Sequence, residues 1–163
     1  MASAASPAIE FEREQYLALV AVNPNYFGNI KSSAFPSVKA IAANTSYEEL
    51  RCVGFHPQIN QLEAVVRIKR TTGYSGALCS AGSQEYVRFY TSSDGGATWK
   101  DEGLAQFTVY DVPHAKPLDH AVVLSISPSR RFCTTENLRL VRAILSWATP
   151  PPPDEPNFTP AWG

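Results

Sequence analysis

The side chains able to do chemistry gather most densely in "YDVPHAKPLDH", which holds Asp111, His114, Asp119 and His120 in one loop and its edges. Imidazole and carboxylate groups that converge can bind zinc or a harder divalent ion. Pro113 and Pro117 constrain the segment, however, and no H-x-x-x-H pair occurs, so it reads as a solvated loop between strands. Asp94, Asp101 and Glu102 offer oxygen ligands for Ca²⁺ but lack the D-x-D-x-D-G spacing of a calcium loop. A nucleophilic pair would have to join Cys52, Cys79 or Cys133 to His56, His114 or His120, and none has a recognisable nucleophile context. The acidic pairs Glu48-Glu49, Asp101-Glu102 and Asp154-Glu155 read as solvated surface rather than as glycosidase carboxylates. No P-loop, dinucleotide glycine fingerprint or HExxH motif is present. The sequence thus assigns no catalytic residue, no metal ligand and no cofactor.

The elements that would position such groups are mainly strands. A chain of 163 residues, 44% hydrophobic, fits one core, and thirteen prolines and nine glycines among short apolar runs favour an all-β fold. Only the start reads as helix: Ser6 as cap, Pro7 in the first turn, Glu10, Glu12 and Glu14 at the positive end of the dipole. Ile9, Tyr16, Leu17 and Val20 supply its apolar face, and Asn23-Pro24 stops it. "NPNYFGN" then places Tyr26 and Phe27 among turn formers, as an anchor loop or as an exposed contact. An extended connector follows, with an edge strand expected around Val38–Ala42. From Glu49 onward, "ELRCVGF", "QLEAVVRIKR", "EYVRFYTS", "GLAQFTVYDV", "HAVVLSIS" and "NLRLVRAILSW" have strand length between turn signals. Leu62, Ala64, Val66 and Ile68 share one face, and Val87 and Phe89 oppose Tyr86, Arg88 and Tyr90. About seven antiparallel strands packed as a sandwich are expected. The division is 1–47, helix and connector; 48–149, the β domain; and 150–163, a proline-rich tail of polyproline II type carrying Phe158 and Trp162.

"SSDGGATW" satisfies S-x-D-x-G-x-T-W with Ser92, Asp94, Gly96, Thr98 and Trp99, and resembles the Asp-box of sialidases and related β-propellers. That motif sits on a hairpin turn away from the catalytic centre. A single copy, with no repeat of blade length, implies a folding device rather than a propeller. The run from "EYVRFYTSSDGGATWKDEGLAQFTVYDVP" through "LDHAVVLSIS" to "LVRAILSW", within residues 48–148, resembles immunoglobulin-like and fibronectin type III-like modules. The antibody Cys–Trp–Cys spacing is missing, and the helix with "NPNYFGN" has no counterpart there. "NPNYFGN", "YEELRCVGF" and "VRAILSWATPPPP" also look like bacterial proteins of unassigned function, a resemblance that carries no activity.

Function follows by exclusion and by surface. With 14 basic against 15 acidic residues there is no footprint for nucleic acid. No signal peptide and no membrane span are read, which points to the cytoplasm, with release by a non-classical route left open. Three cysteines suit buried thiols, a Cys79–Cys133 bridge remaining open. The expectation is a non-enzymatic structural or protein-interaction module, its partner a protein and conceivably a second copy. Strand edges and the aromatic residues Tyr26, Phe27, Phe158 and Trp162 would make the contacts. The alternatives are a carbohydrate-binding module using Tyr74, Tyr90 or Trp99, with Trp147 a further ring, and a small metal-dependent enzyme centred on His114 and His120.

Overall fold

The computed structural model describes residues 7–113, 116–128 and 138–163, with side chains described from Arg13 onward. One helix, α1 (Pro7–Val22), is followed by six strands among the described residues: β1 (Glu48–His56), β2 (Gln61–Ile68), β3 (Ser83–Ser92), β4 (Lys100–Val109), β5 (Leu118–Ser125) and β6 (Leu140–Trp147). They form two antiparallel three-stranded sheets, β1-β2-β5 and β4-β3-β6. The chain is therefore all-β with one helix, and six strands stand where about seven were expected. The missing one is the edge strand around Val38–Ala42, a stretch that makes no ladder. Instead Asn44 forms an isolated parallel bridge with Trp162.

Alternation decides which faces meet. Leu62, Ala64, Val66 and Ile68 on β2 face Val87 and Phe89 on β3 across one core, joined by Val109, Val122, Leu145 and Trp147. On the opposite side of β2, Glu63 is exposed and Arg67 makes a bidentate pair with Asp119 at 2.8 and 2.9 Å. The other face of the β4-β3-β6 sheet carries Arg88, Tyr90, Arg142 and Ile144, and it is not left to water.

The proline-rich tail straps across that face. Prolines have no N–H, so this segment offers mostly carbonyls, and the sheet answers with side-chain donors. Arg88 Nε donates to the Pro151 carbonyl (2.8 Å), the Tyr90 hydroxyl to that of Pro152 (3.3 Å), and Arg142 Nη1 to that of Pro156 (2.9 Å). Phe158 closes a small cluster with Tyr90 and Ile144. The tail then turns into the main core, where Trp162, 3% exposed, packs edge to face on Trp147 and on Phe27.

Helix α1 lies against the same end of the core. Tyr16 and Val20 pack inward, as the apolar spacing predicts, but Leu17 and Leu19 are turned outward and Arg13 takes the buried place one turn before Leu17. The "NPNYFGN" loop anchors this end. Asn25 receives the Ile30 N–H and donates to the Phe35 carbonyl, and the Tyr26 carbonyl accepts from Val38 and Lys39.

Candidate functional site

The residues of "YDVPHAKPLDH" do not converge. Asp111 accepts the backbone N–H groups of Tyr74 (2.8 Å) and Gly76 (3.1 Å), so it organises the β2–β3 loop. Asp119 is committed to Arg67, which holds its carboxyl below the usual range. His120 lies beside the Phe107 ring, centroids 6.0 Å apart. His114 lies outside the described residues, as does Cys133, and with it the Cys79–Cys133 pairing. Cys52 and Cys79 are free and exposed rather than buried. Among the described residues no three His, Cys, Asp or Glu side chains group as metal ligands.

The hairpin residues act on one another. Asp94 accepts from the Thr98 N–H at 2.9 and 3.0 Å, from the Thr98 hydroxyl (2.5 Å) and from the Ser92 hydroxyl (2.7 Å). These donors favour the ionised form and hold its carboxyl far below the ordinary range. Gly95 and Gly96, at φ 71° and 94°, take the left-handed conformations the turn needs. Trp99 leaves the turn half-buried, with the Arg142 guanidinium 4.1 Å from its ring centroid. Tyr74 and Tyr90 are fully buried and Trp147 nearly so, so of the rings proposed for stacking a sugar only Trp99 keeps part of its surface in solvent. Of the residues expected to contact a partner, Phe27, Phe158 and Trp162 are buried against this same chain and Tyr26 is half-buried.

Sequence reading missed two features. The first is a buried charge centre. Glu48, expected on the surface, is fully buried, as is Glu85, and both grip Arg13 of α1. Glu85 shares the parity of Val87 and Phe89, so the alternation that places those two inward places it inward as well. Glu102, also expected in solvent, has its side chain 4% exposed, receiving the Thr91 hydroxyl (2.6 Å) and Lys100 (2.7 Å).

The second feature is a crevice of about 590 Å³ where β1 passes β6, lined by Val53, Gly54, Phe55, Pro57, Arg139, Leu140 and Val141. Both strands are sheet edges. Ala148 N–H points toward β3, donating to Gln84, so Trp147 presents its N–H to the outer edge of β6, where the Trp162 carbonyl accepts it at 3.2 Å. By the antiparallel alternation, Leu145, Ala143 and Val141 present their backbone groups to that same edge. The tail runs there antiparallel to β6, with Gly163 against the Leu145 carbonyl. Among the described residues nothing pairs with the outer edge at Val141 and Ala143. Leu140 is 45% exposed at the mouth, while Val53, Phe55 and Val141, all core-facing, are only half-buried. A bare ladder edge beside an apolar floor can accept an extended peptide. Comparison with protein-family models, with curated proteins and with solved structures finds no match to this chain.

Proposed function

We propose that the chain is an immunoglobulin-like sandwich working as a non-enzymatic protein-interaction module, which receives an extended segment of another polypeptide as an added strand on β6. The strand order supports the fold reading. The chain lays down β1 and β2, crosses to build β3 and β4, returns to place β5 beside β2, and crosses again to place β6 beside β3. Such exchange between two facing sheets is the connectivity of immunoglobulin-like modules. In that scheme one more strand belongs on the outer edge of β6, and among the described residues only Trp162 and Gly163 lie there.

The observation that carries the proposal is that partial filling. Trp162 and Gly163 take up the position of an antiparallel neighbour beside Trp147 and Leu145, while among the described residues nothing claims the outward donors and acceptors of Val141 and Ala143 over the crevice. An incoming strand would lie antiparallel to β6, alongside Val141 and Ala143. Its main chain would bond to β6, and alternate apolar side chains would enter between Phe55 and Val141. Each main-chain bond contributes roughly 0.5–1.5 kcal/mol net, and the apolar contacts add about 25 cal/mol per Å² buried.

The test is selection of displayed ten-residue peptides on the folded protein, followed by methylation of single backbone amides in the winners. Strand addition predicts apolar residues at every second position, loss of binding from methylation with the same period of two, and loss of binding by Ala143→Pro. That substitution removes a donor from the outer edge without touching the β3 ladder. Binding that ignores both Ala143→Pro and amide methylation would overturn the proposal. Sedimentation identifies one special source. A dimer dispersed by Ala143→Pro assigns the strand to a second copy, whereas a monomer that binds the selected peptides assigns it to a different protein.

A further inference from the structure

Beside the apolar packing of Tyr16 and Val20, α1 is joined to the sheets through one guanidinium and two carboxylates. Arg13 Nη1 donates to Glu48 Oε2 at 2.7 Å, and Nη2 to Glu85 Oε1 at 2.5 Å and to the Ser83 hydroxyl oxygen at 3.3 Å. Ser83 in turn donates to Glu85 Oε1 (2.8 Å) and accepts from Trp147 Nε1 (3.0 Å). Tyr47, Tyr74 and Trp147 wall the centre, their ring centroids 4.5, 5.3 and 4.8 Å from the Arg13 guanidinium carbon. Arg13, Glu48 and Glu85 are each at most 1% exposed.

The charges do not balance. One guanidinium meets two carboxylates, leaving a formal surplus of one negative charge in a water-poor, aromatic-walled space. Among the described residues Glu48 Oε1 and Glu85 Oε2 have no hydrogen-bond partner, so that surplus is not dispersed. Among the described residues the other charged groups nearby are engaged elsewhere. Arg70 stacks on Tyr47 and donates to the Ser46 carbonyl, Glu49 on β1 pairs with Arg51 and Lys69, and Glu14 on α1 is exposed. Burying an unpaired charge costs far more than protonating a carboxylate near neutrality, so the surplus is relieved by a proton on Glu85.

We infer that Arg13, Glu48 and Glu85 form a proton-dependent latch, in which one proton held on Glu85 fastens α1 to the sheets and its loss loosens them. This goes beyond strand addition at β6 and does not depend on it. Burial and the neighbouring Glu48 both push Glu85 well above the usual carboxyl range, with Arg13 opposing. The sign follows. A carboxyl whose folded-state pKa lies above its unfolded one contributes stability that is complete below the unfolded pKa, near 4.3, and is lost as pH rises to the folded value. The Tyr74 hydroxyl is raised too, and with the same sign, but its effect begins only above the ordinary phenol range near 10, clear of a scan that stops at pH 8.5. Glu49, Asp94 and Asp119, all lowered, act in the opposite sense, but only at acid pH.

The experiment is thermal unfolding from pH 5 to 8.5 for the natural chain, Glu85→Gln, and the double variant Glu48→Gln with Glu85→Gln. The natural chain should lose on the order of 3 °C in Tm per pH unit until the Glu85 proton is gone. Glu85→Gln, fixed in the uncharged form, should show a flat profile. The double variant should melt below both at every pH, because Arg13 then has no counter-charge. Should a variant fail to fold, infrared difference spectra of the natural chain give the same answer, since the carbonyl band of a buried carboxylic acid must disappear over the same pH range. A flat profile for the natural chain, a slope that survives in Glu85→Gln, or the absence of that band would each overturn the latch.

Discussion

Trp147 on β6 and Trp162 in the tail meet edge to face, ring centroids 5.2 Å apart at 79°, and the main chain of one donates to the main chain of the other at 3.2 Å. The last stretch of chain is thereby built into the core rather than laid upon it. Removing the indole empties a site also bounded by Tyr16 and Phe27. Trp162→Ala should cost about 3–5 kcal/mol in urea unfolding, the range for burying a large ring and then deleting it. A loss below about 1 kcal/mol would mean the ring is not needed for the core.

The hairpin carboxylate has a pH signature. Asp94 is held below its ordinary pKa by the Thr98 and Ser92 donors, so its contribution is present above the unfolded value and is lost as pH falls through the folded one. Asp94→Ala should lower Tm at pH 6, and the gap from the natural chain should close as both are titrated toward pH 2. A gap as wide at pH 2 as at pH 6 would show that the carboxylate charge is not what fastens the turn.

Gly73 sits at φ 94°, and a Cβ placed there would fall 2.5 Å from Cε1 of Tyr47. Backbone strain and steric conflict act together, and Tyr47 cannot yield without opening the wall around Arg13. Gly73→Ala should destabilise the fold by about 1–3 kcal/mol, read from the shift of the denaturant midpoint. An unchanged midpoint would contradict the close approach.

Arg142 joins two devices, stacking on Trp99 while donating to Pro156 and to Asn157 Oδ1. A double-mutant cycle of Trp99→Ala and Arg142→Ala should return a coupling of about 0.5–2 kcal/mol, which ties hairpin to tail. Strict additivity would leave the two devices independent.

Local patterns in the chain foretold local structure. The alternation in "QLEAVVRI" places Leu62 and Val66 inward because a half-buried strand has only two faces to offer. Asn23-Pro24 ends α1 for equally local reasons. Arg13 was illegible because its partners lie 35 and 72 residues away, and no short window contains both a buried cation and its counter-ions. Glu85 was half legible: its parity pointed inward, and its charge argued against burial until a partner was known. The crevice at β6 was not legible at all, since an open edge is defined by what fails to lie beside it.

The strap and its terminal indole also set an order of events during synthesis. The ribosome delivers β6 before the proline segment, so a nascent chain exposes the hollow around Trp147 and the greasy side of Tyr90 until Phe158 and Trp162 have emerged. Completion of the interior waits for the strap, and the interval before it emerges is when this protein is most vulnerable to sticking to its neighbours.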